Sequence, residues 1–367
     1  MPVTASELEA TGLYDPAADD AADRLALLTW LCDHGVTIPQ LVALGRDSAL
    51  ISLAGDLAIR PGERMTLAAA AARAGIDQAF ATRIRVATGL PPTAEAEFTE
   101  GDVEGFRSFA AAGAFFGEAA MLQFTRVLGA ALARLAEAAI TLFVVNIDLP
   151  ARAAHVGSVA IAEANFTAAQ VLGILPRTMD TILRAHLEAA IRRQRALRVG
   201  ERGDLVMVTV GFVDLVGFTP LARQLSAHEL GVMVERFEGL ASDLTAARNG
   251  RLVKVVGDAV MFVAPSAEVG CDIALTLIEE FAADAMVRPR GGLATGPALM
   301  RGGDYYGPTV NLASRIGDLA VPRELLVTPD VVEAARHAPY RFQTAGRRVL
   351  KGVDEPQLVY TAERVRG

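Results

Sequence analysis

The hydrophobic period of the chain changes near residue 200, and that change obliges it to build two different kinds of domain. Upstream, from about residue 20 to 198, alanine- and leucine-rich stretches carry apolar residues at helical spacing, broken at Gly35, Pro61-Gly62, Pro91-Pro92 and Pro150. At residues 191–203 an arginine-rich helical stretch, IRRQRALRVGERG, runs into glycines. Downstream, DLVMVTVGFVDL is rich in β-branched residues and bounded by turn formers, which predicts a strand buried on both faces. A helical pattern at about 221–247 ends at Asn249-Gly250. RLVKVV, the turn Gly257-Asp258 and AVMFVA then read as a hairpin. A helix over about 268–283, a strand near 291–295, a helix over about 310–319 and strands near Leu325 and Val359 complete the pattern. The expected architecture is an all-α N-terminal domain, residues 1–198, followed by an α+β domain, residues 204–367, with a ferredoxin-like βαββαβ core. A length of 367 residues suits two domains, because single cores stop growing at about 250–300 residues.

Charge and cysteine usage narrow the function classes. A net charge of −8 argues against general binding to nucleic acid or an anionic membrane, since a phosphate backbone selects a basic face. Cys32 and Cys271 stand far apart with no CxxC or Cys/His cluster, so neither a disulfide framework nor a structural zinc site is indicated. The polar, acidic start lacks the basic and apolar segments of a secretory signal, and a reducing, cytoplasmic compartment is expected. Residues 109–147 are the most apolar stretch. They are interrupted by Glu118, Arg126, Arg134 and Glu137, which predicts a buried helix pair and no transmembrane segment. Residues 66–92 hold two short helical patterns joined at Gly75, in the manner of a helix-turn-helix, but only Arg83 and Arg85 would serve a recognition helix. No nucleic-acid partner is expected.

Two carboxylates mark the chemistry. Asp214 ends an otherwise apolar strand, and Asp258 sits at the hairpin tip. If the hairpin lies beside the first strand, both acids face one point and can hold Mg²⁺ or Mn²⁺, hard ions that take oxygen ligands. A two-ion site suits phosphoryl chemistry. The plainer alternative is that Asp214 caps a strand exit and Asp258 is a turn residue. Lysine usage bears on the choice: among 35 basic residues only Lys254 and Lys351 are lysines, so each stands where a compact ammonium is wanted.

Four strings read together go further: FVDLVGFT (212–219), RLVKVVGDAVMF (251–262), GDYYGPTVNLASR (303–315) and LKGVDEPQLVY (350–360). In this order and spacing they resemble the class III nucleotidyl cyclase catalytic domain over about residues 204–364. The resemblance implies that Asp214 and Asp258 bind two Mg²⁺ or Mn²⁺ ions per active site. It implies that Lys254 and Asp304 select adenine, so that ATP is the substrate. Phe212 and Lys351 join the substrate site, Lys351 at a phosphate, while Asn311 and Arg315 orient the ribose and stabilise the charged transition state. Their spacing of four places Asn311 and Arg315 on one helix face. Because the resemblance assigns the two half-sites to opposite chains, and this chain carries both, a homodimer with two equivalent sites is implied.

Competing readings are weaker. A diguanylate cyclase would carry its GGDEF string on the hairpin, whereas Gly302-Gly303-Asp304 continues as Tyr-Tyr elsewhere. No GxxxxGK[ST] loop, GxSxG elbow or HExxH motif occurs. A nucleotide-binding sensor that has lost turnover would be expected to lack one of the metal or transition-state residues. The helical half resembles, more loosely, the regulatory domains of soluble two-domain actinobacterial adenylate cyclases, some of them pH-responsive. It is read as a regulatory and dimerising module ending in a helix over about 161–197. His34, His155 and His186 are its candidate proton sensors, and the 109–147 region is its candidate site for a lipid-like regulatory ligand.

Overall fold

The computed structural model describes residues 3–44, 48–154, 156–196, 205–282, 287–352 and 355–365. The chain divides into two compact units, 1–188 and 189–367. His155, Leu197 and the glycine-containing segment 198–204 lie outside the described residues.

Unit one is helical: α1 (Ala5–Ala10), α2 (Ala21–Asp33), α3 (Ile38–Leu44), α4 (Leu53–Ile59), α5 (Leu67–Ala74), α6 (Gln78–Ala87), α7 (Glu100–Phe116), α8 (Glu118–Phe143), α9 (Leu149–Ala153), α10 (Ser158–Leu172) and α11 (Leu175–Ala196), which runs into the second unit. A π-helical stretch, Val144–Asp148, joins α8 to α9. Sequence alone predicts one long terminal helix. The chain instead breaks at Gly173, leaving α10 and α11. Two separate cores form. Leu28, Leu31, Leu41 and Leu50 anchor one, with Ala162 of α10, and Phe98, Val103, Ala70 and Ile84 anchor the other.

The expectation of a buried helix pair over 109–147 is wrong for the single chain. Phe115 is 82% exposed, and Phe116, Phe124, Ile140 and Leu142 are exposed as well. The α8 sequence is apolar over more of its circumference than the neighbouring helices of one chain can cover. By length and composition alone, the helical stretches 118–151 and 158–195 meet the requirement for crossing a membrane, although each is interrupted by charged residues.

The helix pair read over 66–92 forms as α5 and α6, with Gly75 left-handed at φ +73°. Both arginines of α6 are engaged inside the unit. Arg83 pairs with Glu118. Arg85 is buried, bonds Glu97 at 2.7 Å and the Pro91 carbonyl at 3.0 Å, and lies over the Phe98 ring.

The second unit holds β1 (Leu205–Val216), α12 (Phe218–Ala222), α13 (Ala227–Ala247), β2 (Arg251–Val256), β3 (Ala259–Ala264), α14 (Ala267–Ala282), β4 (Arg288–Arg301), β5 (Asp304–Tyr306), α15 (Pro308–Leu319), β6 (Leu325–Val327), α16 (Pro329–Ala334), β7 (Tyr340–Arg348) and β8 (Gln357–Arg364). The sheet order is β2-β3-β1-β4-β6-β8-β7, with β5 on β4. Its first four strands, antiparallel neighbours, give the ferredoxin-like arrangement expected from the βαββαβ order. The strand β4 extends well beyond the expected 291–295, and β5, α16 and β7 add to the expected core.

Strand β1 is buried on both faces, as expected. Val213 and Leu215 enter the core formed with α13 and α14, whereas Val206, Val208 and Val210 enter the core under α15 with Met261, Val263 and Ala294. The close approach of α15 to the sheet depends on Gly292, where a Cβ would lie 2.4 Å from the Ala313 carbonyl oxygen and from the Gly317 nitrogen.

Candidate active site

Asp214 continues the even-numbered face of β1, one pleat beyond Phe212, which packs half-buried against the core under α15. In the sheet register it stands opposite Ala259 on β3 and Arg290 on β4. The hairpin turns at Gly257, whose φ of +64° suits glycine. The Leu215 N–H then donates to the Asp258 carbonyl at 3.1 Å, which carries the β1–β3 ladder to the tip and sets Asp258 alongside Asp214. The expected convergence of the two acids is therefore present.

The electrostatics agree with it. Partial burial pushes the Asp258 carboxyl above the ordinary aspartate range, the charge of Asp214 pushes the same way, and a backbone hydrogen bond and Arg290 only partly offset them. Two adjacent carboxylates form a donor set for hard divalent cations. The residues present thus fit the metal ions the sequence implies.

Arg290 was not singled out by the sequence. Its Nε and Nη2 donate to one Asp214 oxygen at 3.2 and 3.1 Å, while Nη1 donates to the carbonyls of Asp318 and Ala320 at 2.7 and 3.2 Å. The guanidinium therefore ties the end of α15 to the acidic strand tip.

Lys254 and Asp304 meet although they are 50 residues apart: Nζ donates to the Asp304 Oδ2 at 2.6 Å. The Tyr305 N–H donates to Oδ1 at 2.8 Å. Burial would raise the Asp304 carboxyl, but the Lys254 hydrogen bond, the Tyr305 N–H and the Lys254 charge outweigh it and hold it below the usual range. Asp304 opens β5.

Asn311 and Arg315 share a face of α15, as their spacing predicts. Thr309, Val310, Ala313, Ile316 and Gly317 form the buried face, so Asn311 and Arg315 look away from their own sheet. Arg315 Nη1 donates to the Gly352 carbonyl at 3.3 Å, next to the exposed Lys351. The structure thus brings together three groups: Asp214 with Asp258, Lys254 with Asp304, and Arg315 with the Lys351–Gly352 turn.

A strand-tip acid pair, a Lys–Asp pair and an outward Asn/Arg helix on a ferredoxin-like core define a nucleotidyl cyclase class of domain. The description of the adenylate and guanylate cyclase catalytic domain family matches residues 202–363, and that of the adenylate cyclase regulatory domain matches residues 6–191. An adenylate cyclase of Streptomyces coelicolor is 36% identical over 295 residues, covering 77% of this chain and 74% of that one. A pH-sensitive adenylate cyclase of Mycobacterium tuberculosis is 31% identical over 361 residues, covering 93% of this chain and 88% of that one. A crystal structure of an adenylyl cyclase from P. aeruginosa shares 23% identity, covers 44% of this chain and 96% of that one, and has a TM-score of 0.39. The chain belongs to the class III adenylate cyclase family, in its two-domain actinobacterial form with an N-terminal regulatory domain.

Proposed function

We propose that the protein converts ATP to 3′,5′-cyclic AMP and pyrophosphate at two equivalent sites of a homodimer, under control of its N-terminal half. The observation that carries this reading is the Asp214–Asp258 pair beside β1, with the Lys254–Asp304 pair on the same domain. Asp214 and Asp258 would hold the two divalent ions, which supply charge neutralisation at the 3′-oxygen and the triphosphate.

Adenine binding requires Lys254 and Asp304 to exchange their mutual bond for the base. The ammonium donates to N1, and the carboxylate accepts from the N6 amine. Guanine presents the opposite pattern, an O6 acceptor and an N1–H donor, and is disfavoured. Asn311 orients the ribose. As the 3′-oxygen bonds to the α-phosphorus and the bond to the β-phosphate oxygen breaks, Arg315 receives the charge on the α-phosphate and Lys351 the departing pyrophosphate. The outward direction of Asn311 and Arg315 supports their service to the carboxylates of a second copy.

The helical unit is proposed to dimerise and to regulate. Its exposed apolar side chains on α8 and α11, among them Ile140, Leu142, Leu183 and Leu187, support a role for a second copy in covering them. His34 stacks on Trp30 at 3.9 Å and meets the edge of Phe166 at 4.9 Å, so its protonation would act on the α2–α10 contact.

The testing experiment is cyclic AMP formation from ATP with Mg²⁺ or Mn²⁺. The intact protein turns over and Asp258→Ala does not. A folded dimer that makes no product would overturn the assignment in favour of a nucleotide-binding sensor.

A further inference from the structure

Strand β2 carries a bulge, and the bulge places a second cation on the base-selecting loop. Arg251 stands opposite Val263 and Lys254 opposite Met261, with the register shifting between Leu252 and Lys254. Val263 and Met261 are two residues apart on β3 and enter the same core, so they share a face. In an unbroken strand, residues three apart point to opposite faces. The extra residue resets the alternation and turns both Arg251 and Lys254 toward residues 302–304.

Each then holds a different part of that loop. Lys254 bonds the Asp304 carboxylate, and Arg251 Nη2 donates to the Gly303 carbonyl at 2.6 Å. Gly302 and Gly303, with φ of +61° and +80°, form the two-residue turn of the β4–β5 hairpin, closed by the Arg301–Asp304 pair, and Arg251 adds a tie from β2 to that turn. A charged donor on a carbonyl is among the stronger single hydrogen bonds a protein makes.

We propose that Arg251 is a positioning residue for base selection, fixing the Gly303 carbonyl so that Asp304 meets the adenine amine. The proposal rests on the reading of Lys254 and Asp304 as the adenine-contacting pair. Its logic lies in the exchange that substrate binding demands. When Lys254 and Asp304 release each other to bond the base, the tie between them is lost. Arg251 to Gly303 then remains as the cross-link between β2 and the loop. In this assignment Arg251 acts through the Gly303 carbonyl and not by a contact of its own with base or phosphate.

The test is the ratio of kcat/KM for ATP to that for GTP, measured on the full-length protein and on Arg251→Ala, Arg251→Lys and Asp304→Ala, with the Tm of each. The expected result is a fall of about tenfold in the ratio for Arg251→Ala, the size that follows from loosening one charge-assisted hydrogen bond. It should arise mainly in KM for ATP, with Tm unchanged and with partial recovery in Arg251→Lys. A merely structural residue would lower both substrates in proportion and depress Tm, and that outcome overturns the proposal. An unchanged ratio in Arg251→Ala beside a collapsed ratio in Asp304→Ala overturns it while sparing the pair. If Asp304→Ala leaves the ratio unchanged, the assignment of the pair falls, and the role of Arg251 falls with it.

Discussion

The catalytic unit and the helical unit bury their apolar residues in opposite fashion. Around the sheet, Phe262, Met261, Phe281 and Ile273 are completely enclosed within one chain, and the strand tips project polar residues outward. Along α8 and α11, Phe124, Leu142, Ile182 and Leu187 are more than half exposed. The catalytic unit closes its core within one chain. The helical unit leaves apolar faces uncovered. In the homodimer proposed above, a second copy would complete the active site and cover these faces.

That contrast sets what substitutions should do. Phe262→Ala opens a cavity under β1 and should cost about 3–5 kcal/mol in the catalytic unit, read by denaturant unfolding. An equal truncation at Phe116, 65% exposed, should leave monomer stability within about 0.5 kcal/mol. A large loss at Phe116 in a dilute monomer would break the comparison. Charging the exposed apolar surface of α8, with Ile140→Asp and Leu142→Asp together, should weaken dimerisation about a hundredfold by sedimentation while leaving helix content intact. An unchanged dimer would move the interface elsewhere.

A smaller effect separates the units by pH. At Asp102 burial acts to raise the carboxyl, but the Thr99 backbone N–H and hydroxyl and Arg60 outweigh it, so the folded value lies below the usual one. A lowered value means that the stabilisation is complete above the ordinary aspartate range and is lost only as pH falls through the lowered value. Asp102→Ala also removes the capping box at the start of α7, and the loss should be about 1–2 kcal/mol near neutral pH. Below the carboxylate range the variant and the parent should converge. A difference that persists in acid would refute the electrostatic share.

The smallest effect is chemical. Cys271 is buried, which pushes its thiol up to about 12, and the half-buried Cys32 is raised as well. Pulsed alkylation at neutral pH should therefore label Cys32 before Cys271 as denaturant rises. The reverse order would make the catalytic unit the looser one.

Much of the site was legible because it lies in local strings. The positions of Asp214 at a strand end and Asp258 in a Gly-Asp turn followed from the period and the turn chemistry, while their reading as metal ligands over strand cap and turn residue came from the resemblance. Arg290 was not legible. Its role depends on standing opposite Asp214 across β1 and β4, a register that no local pattern in RPRGGLATGPALMR reveals. The β7 strand was missed because it is a sheet edge: YRFQTAGRR is mostly exposed and lacks the apolar alternation of a strand with a buried face. The 109–147 region was misread for a different reason. Hydrophobicity in a sequence shows that a surface must be covered, and it does not say whether the cover comes from the same chain.

The measurement that tests the shared-site account most directly is complementation. Asp214→Ala/Asp258→Ala and Asn311→Ala/Arg315→Ala chains, each inactive alone, would be co-expressed with different tags and purified through both. Every mixed dimer then holds one intact site and one without any of the four residues. The account predicts about half the cyclic AMP output of the parent dimer. Mixed dimers as inactive as either variant alone would contradict it and place all the catalytic residues of a site within one chain.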